Sequence, residues 1–259
     1  MEDCIKNIVV IPVRLASSRF PNKPFVKLNG LTMIEHTWLR STLSKLADEV
    51  VIATPDLVIK NHMSKLGAKI IMTSHSHKMC MDRVNEAIKK MKLYKSNIVV
   101  VQGDEPLVNP KTIDTMFKKL KSNKDYDMIS VIKKIDNKKE IKNSNRVKVV
   151  FSKNFFVHFI SREPIPSNST HKNKVDYYKL ICLYGLNGIF LKKYSQLGIS
   201  KNEKIESIDI LRVIDNGYKL KIFETKDILF NVDTKRDVKV VKKAMLSDNI
   251  FKSLKKINF

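Results

Sequence analysis

A chain of 259 residues with 43% hydrophobic residues is long enough to bury a sizeable core and too apolar for an intrinsically disordered segment. Its formal net charge of +23 invites a nucleic-acid or anionic-membrane reading, yet the excess is mostly Lys spread through the chain beside much Asn and Ile, with no RNA-reading motif. The expectation is a protein with no nucleic acid and no membrane among its partners. Three scattered cysteines, Cys4, Cys80 and Cys182, make neither a disulfide framework nor a thiolate metal site, and MEDCIKN leads into a short apolar run unlike a signal peptide or a membrane span, so the expected compartment is the reducing cytoplasm.

That apolar run, Ile8 to Val13, suits one buried strand, and it opens into a loop carrying Arg14, Arg19 and Lys23 among Ala16, Ser17, Ser18, Pro21 and Pro24. Cations at a strand's carboxyl end, beside residues small enough to admit a phosphate, predict a polyphosphate site, although the loop is neither a Walker loop nor GxGxxG. A solvated basic loop is the plain alternative. Helical spacing follows over Met33 to Leu46, with Trp38 in the core, then a strand Glu49 to Thr54, a helix Asp56 to Leu66 and a strand Ala68 to Met72. Strands alternating with helices argue for an α/β fold with a mostly parallel, doubly wound sheet.

Residues 73 to 81 read as a loop and Asp82 to Met91 as a helix; His75, His77 and Cys80 have poor zinc spacing. The strand Ile98 to Val101 runs into Gln102-Gly103-Asp104-Glu105-Pro106. A carboxylate there suits Mg²⁺, which makes Asp104 a metal candidate, with a turn or helix-cap carboxylate as the alternative. Lys111 to Lys121 reads as a helix, Met128 to Lys133 as a strand, and Asp136 to Asn145 as an exposed, mobile connection. The runs VKVVF, FFVHFI and ICLYGL read as an inserted smaller β region, a lid or dimerisation segment. Residues 218 to 224 form a strand, and FNVDTKRDVKVVKKAM reads as a strand end turning into the last helix, where Asp233-Thr234 is as well explained by a cap as by a site. With no repeat or linker, residues 1–259 form one domain, with about 147–200 as its sugar-binding and dimerisation subregion.

IPVRLASSRFPNKPFVKLNGLTMIEHT closely resembles the opening of the CMP-sugar synthetases and, within them, of the 3-deoxy-manno-octulosonate (Kdo) cytidylyltransferases. VQGDEP, SREPIP, LYGL, IESIDILRVIDNG and VDT follow in the family's order. The resemblance implies a Rossmann-like nucleotidyltransferase fold, a homodimer, Mg²⁺, and transfer of CMP from CTP to an acidic sugar for lipopolysaccharide or surface polysaccharide synthesis. It places Arg14, Ala16, Ser17, Arg19, Lys23, Arg83 and Gln102 on the nucleotide, Lys23, Asp104 and Asp233 in catalysis, and the metal on Asp104 and Asp233. Arg162 grips the sugar carboxylate, with Tyr184 and Asp209 on sugar hydroxyls. Asn22 stands for a family Gly, and Cys80-Met81-Asp82 for Gly-Thr-Glu. Leu180, Leu186 and Ile210 replace polar residues of the family's sugar side, which predicts an altered sugar pocket. Three readings therefore stay open beside Kdo: an 8-amino Kdo or nonulosonate enzyme, a catalytically weak regulatory paralogue that binds nucleotide, and a nucleic-acid binder.

Overall fold

Strict alternation along the first strand, β1 (Lys6–Pro12), sets up two apolar layers: Ile8 and Val10 face one core cluster, Val9 and Ile11 the other. The computed structural model describes residues 5–16, 20–123, 125–170 and 175–255. After β1 and a 3₁₀ turn at Lys23–Phe25 come a two-stranded ribbon, β2 (Lys27–Leu28) and β3 (Leu31–Thr32), and α1 (Met33–Thr42). Helix α1 starts where Thr32 and Glu35 form a capping box. Next are β4 (Glu49–Thr54), α2 (Leu57–Ser64), β5 (Lys69–Met72), α3 (Cys80–Met91), β6 (Ser96–Val101), α4 (Pro110–Lys121) and β7 (Met128–Lys134). The second half comprises α5 (Lys138–Ile141), β8 (Lys148–Phe151), β9 (Val157–Ser161), β10 (Tyr178–Asn187), α6 (Gly188–Tyr194), α7 (Lys201–Glu206), α8 (Leu211–Asp215), β11 (Leu220–Glu224), α9 (Lys235–Leu246) and α10 (Asn249–Lys255).

The main sheet runs β11-β7-β10-β6-β1-β4-β5. All its pairings are parallel except those of β10, which runs antiparallel to both β6 and β7. Helices α3, α6 and α8 cover one face, while α1, α2 and α4 cover the other. The expected α/β, mostly parallel, doubly wound sheet is therefore present.

Several expectations differ in detail. ICLYGL belongs to β10, a central strand of the main sheet, and not to an inserted region; only β8 and β9 form a small antiparallel addition hung on it. An apolar run announces burial but not its neighbours, and β10 fits between β7 and α4 because Gly185 has no side chain: a Cβ there would lie 2.8 Å from Ile129 Cγ2 of β7 and 3.2 Å from Met116 Cε of α4. Helix α3 begins at Cys80, inside the expected loop. The 136–145 connection contains α5, and Glu140 of that helix pairs with Lys179 of β10 at 2.7 Å. Residues 230–232 are loop, and α9 is followed by α10. A third cluster, including Phe20, Leu28, Met33, Leu107, Val232 and Phe251, ties the ribbon to the C-terminal helices and backs the loops that carry the site.

Two consequences can be measured. A Cβ at Gly188 would stand 2.4 Å from the backbone oxygen of Tyr94, and because backbone cannot rotate away, Gly188→Ala should destabilise the fold by about 2 to 3 kcal/mol in chemical denaturation. His36 is fully buried on α1, donates from Nε2 to the Leu28 carbonyl at 2.6 Å, and has no partner at Nδ1. Burial pushes its pKa down. Below about pH 6.5 the unfolded chain therefore binds a proton that the fold refuses, so stability falls as the pH falls. His36→Gln, which keeps a donor but cannot titrate, should flatten that loss between pH 7.5 and 5.5 relative to the unsubstituted protein.

Candidate active site

From β1 the chain moves outward to β4 and β5, then returns to β6 on the other side of β1. This reversal leaves a crevice at the carboxyl ends of the two parallel strands, the place where open α/β sheets bind ligands. A cavity of about 450 Å³ lies there, lined from β1 by Val13, Arg14 and Ala16 and from β6 by Gln102, Gly103 and Asp104. The two ends nearly touch. A Cβ on Gly103 would fall 3.0 Å from the Val13 side chain, and the Gly103 N–H donates to the Pro12 carbonyl at 3.4 Å.

Charge concentrates where the third wall closes. Lys23 Nζ lies 2.6 Å from Asp104 Oδ2 and 4.0 Å from Asp233 Oδ1. Val232 N–H donates to the Asp104 carbonyl at 3.1 Å, which holds the two carboxylate-bearing loops together. Thr234 and Asp237 form the capping box of α9, so Thr234 is the cap and the Asp233 carboxylate is left to face the cluster. On its far side the Asn231 amide donates to Asp233 Oδ2, and Arg146 Nη1 lies 3.8 Å from the same oxygen. Arg146 also pairs with Asp237 at 3.0 Å and stacks 4.1 Å from the Phe230 ring centre.

Asp104 Oδ1 is buried without a hydrogen-bond partner. A second carboxylate thus shares one cation with an orphaned, desolvated oxygen, a donor set that suits Mg²⁺: the ion takes one or two carboxylates and completes its shell with water and phosphate oxygens. Among the described residues there is no group of three or more His, Cys, Asp or Glu that could hold a metal. His77 Nε2 is hydrogen-bonded to Glu86 Oε2 at 2.5 Å.

Two residues of this cluster were not singled out from the sequence. Glu105, nearly fully buried, is pushed up to about 8 by desolvation and by the neighbouring Asp104 and Asp233, so it keeps its proton at neutral pH. Its place in GDEP was the available signal. Arg146 had none, because its role appears only when the 143–147 turn packs against residues 230–237.

On the nucleotide side, Arg14 is exposed at the rim, 3.5 Å from the His77 carbonyl. Gln102 reaches Cys80 Sγ at 3.7 Å. Arg83 lines the cavity but is nearly buried, its donors engaged by Thr73 Oγ1 at 2.6 Å and by the Ser74 and His77 carbonyls. It therefore fixes the 73–77 turn. Ser17 and Arg19 lie outside the described residues.

At the other end the cavity is lined by Arg162, Tyr184, Asp209, Asn145, Ser207 and Cys182. Arg162 donates to the Glu206, Ser144 and Ser207 carbonyls at 2.7, 3.0 and 3.2 Å, which pins it to two segments and leaves two of its five N–H donors for a ligand. Asp209 Oδ2 accepts from Cys80 Sγ at 3.1 Å and from Met81 N–H at 3.2 Å, and burial raises its pKa. Tyr184 is nearly buried, and desolvation pushes its hydroxyl pKa well up, so it acts as a neutral O–H.

The expectation that Leu180, Leu186 and Ile210 reshape the sugar pocket is corrected. All three are buried in the core cluster on the α3 and α6 face and none lines the cavity. Their apolar character serves packing.

This arrangement joins a cationic loop, two carboxylates and a polar far end in one crevice, which is a layout for phosphoryl transfer onto a hydroxyl. The sequence model of the cytidylyltransferase family matches residues 8–228. The 3-deoxy-manno-octulosonate cytidylyltransferase of Fusobacterium nucleatum subsp. nucleatum is 38% identical over 246 residues, spanning 95% of this chain and 99% of its own. That of Thermodesulfovibrio yellowstonii is 38% identical over 250 residues, spanning 92% and 97%. A solved structure of CMP:2-keto-3-deoxy-manno-octonic acid synthetase complexed with CTP superposes with a TM-score of 0.84 at 30% identity, covering 93% of this chain and 98% of that one. A cytidylyltransferase from Leptospira borgpetersenii, at 17% identity and a TM-score of 0.64, shares the fold. With site, sequence and structure in agreement, this chain belongs to the cytidylyltransferase family.

Proposed function

We propose that this chain is a Kdo cytidylyltransferase. The anomeric hydroxyl of Kdo attacks the α-phosphorus of CTP, the bond to the β-phosphate oxygen breaks, the hydroxyl proton passes to solvent, and CMP-Kdo and pyrophosphate result. The observation that carries this reading is Lys23 set against both Asp104 and Asp233 in the crevice between β1 and β6.

Little covalent work falls to the protein, whose task is to align two anions that repel each other. Arg14 and Lys23 line the cavity and would neutralise the triphosphate and the departing pyrophosphate. The two unengaged donors of Arg162 would take the sugar carboxylate, a planar anion that matches the guanidinium fork. Tyr184 offers a neutral hydroxyl and Asp209 an oxygen pair to sugar hydroxyls. The pinning of Arg162 and Asp209 by neighbouring backbone and side chains means that neither has to be ordered when the sugar arrives.

Asp104 and Asp233 would hold Mg²⁺, and when bound that ion would supply positive charge at the α-phosphate and lower the pKa of the attacking hydroxyl. Cytoplasmic location, a role in lipopolysaccharide synthesis and a homodimer formed through residues about 147–200 complete the proposal. The exposed Phe155, Ile189 and Ile199 of that subregion support a protein partner there. An 8-amino Kdo or nonulosonate acceptor loses its main support, since Leu180, Leu186 and Ile210 do not line the cavity. No helix among the described residues is long and apolar enough to cross a membrane.

Pyrophosphate release tests the reading. With Mg²⁺, CTP and Kdo the purified protein should turn over, while UTP or ATP in place of CTP should give little product. Asp104→Asn should lower kcat on the order of 100-fold or more with the fold intact. Measurable CTP binding without release from any sugar acid would instead favour a regulatory paralogue.

A further inference from the structure

Lys23 occupies the position that the metal reading requires for the ion. Its Nζ sits 2.6 Å from Asp104 and 4.0 Å from Asp233, beside the orphaned Asp104 Oδ1. Two cations cannot share that place. Resting on the assignment of Asp104 and Asp233 as metal ligands, we propose that Lys23 is an exchangeable counter-ion. In the nucleotide-free protein its ammonium takes the place of the divalent ion, so that metal enters with the triphosphate and not ahead of it.

The two cations of the cluster are built differently. Arg146 is nearly buried, hydrogen-bonded to Asn231 and Asp237 and stacked on Phe230, so it is a fixed charge. Lys23 instead rises from a three-residue 3₁₀ turn at the cavity edge on a four-carbon stem, with the side chain partly exposed. Lysine keeps a compact charge on rotatable bonds and can change partners where a stacked, forked Arg cannot.

The charges close on the same conclusion. Asp104, Asp233 and Asp237 set three ion-paired carboxylates against Lys23 and Arg146. The cluster thus carries one net negative charge while Lys23 is in place, and adding a divalent ion to it would leave one net positive charge. Withdrawing Lys23 leaves a doubly negative site that a divalent ion neutralises. A triphosphate lying along Arg14 and Ala16 would offer the departing ammonium a new anion in the same cavity. Metal and nucleotide then help each other bind, as linkage requires.

Mn²⁺ binding to the full-length protein, read by electron paramagnetic resonance without nucleotide, tests this. The unsubstituted protein should bind weakly, and Lys23→Met should tighten binding at least tenfold. Arg14→Met removes a cation from the same cavity that touches neither carboxylate, and it should leave the affinity within twofold. Adding Asp104→Asn to Lys23→Met should abolish the gain. Melting temperatures of all variants establish that they are folded. Lys23→Met binding no tighter than the unsubstituted protein would overturn the exchange. An equal gain from Arg14→Met would also overturn it, because general charge would then be the cause. A gain that survives Asp104→Asn would instead refute the metal site on which the exchange rests.

Discussion

The backbone of Gly103 passes so close to Val13 that a single added carbon would crowd its side chain at 3.0 Å, and the meeting of Asp104 with the loop that carries Arg14 follows from that approach. It draws the end of β6 against the end of β1, so that Asp104 emerges beside the loop carrying Arg14 and leading to Lys23. The hydrogen bond from Val232 to the Asp104 carbonyl then brings the loop before α9 to the same spot and with it Asp233. Three segments far apart in sequence converge because two parallel strands are adjacent and the connection reverses between them.

Convergence of carboxylates is costly unless charge is compensated. Two like charges about 4 Å apart repel by about 4 kcal/mol at an effective dielectric near 20. The protein answers in three ways: a partly exposed cation in Lys23, a buried and stacked one in Arg146, and a proton retained on Glu105. Only the first can leave without disturbing the core. The same economy appears at the far end of the cavity, where Arg162 is anchored through three backbone carbonyls and still presents free donors.

Much of the first half was legible in the sequence because its elements are long, strongly periodic and in simple βα order. Strand β1, helix α1 and strand β4 fall within a few residues of their expected bounds. Asp104 was visible as a carboxylate at a strand end, whereas Asp233 on residues alone was balanced against a helix cap. The structure assigns the cap to Thr234. What remained illegible depends on strand neighbours and side-chain direction. The central place of β10, the burial of Leu180, Leu186 and Ile210, and the role of Arg146 each arise from packing between distant segments, which no local period records. The family resemblance drew three core residues into the sugar pocket, since alignment transfers position without orientation.

The most direct test of the account is a crystal structure of the protein with CTP and Mn²⁺, the metal located by its anomalous scattering. The account predicts a metal peak between Asp104 and Asp233, the triphosphate along Arg14 and Ala16, and the Lys23 ammonium moved from Asp104 onto phosphate. A metal bound away from both carboxylates, or a triphosphate outside the crevice between β1 and β6, would contradict it.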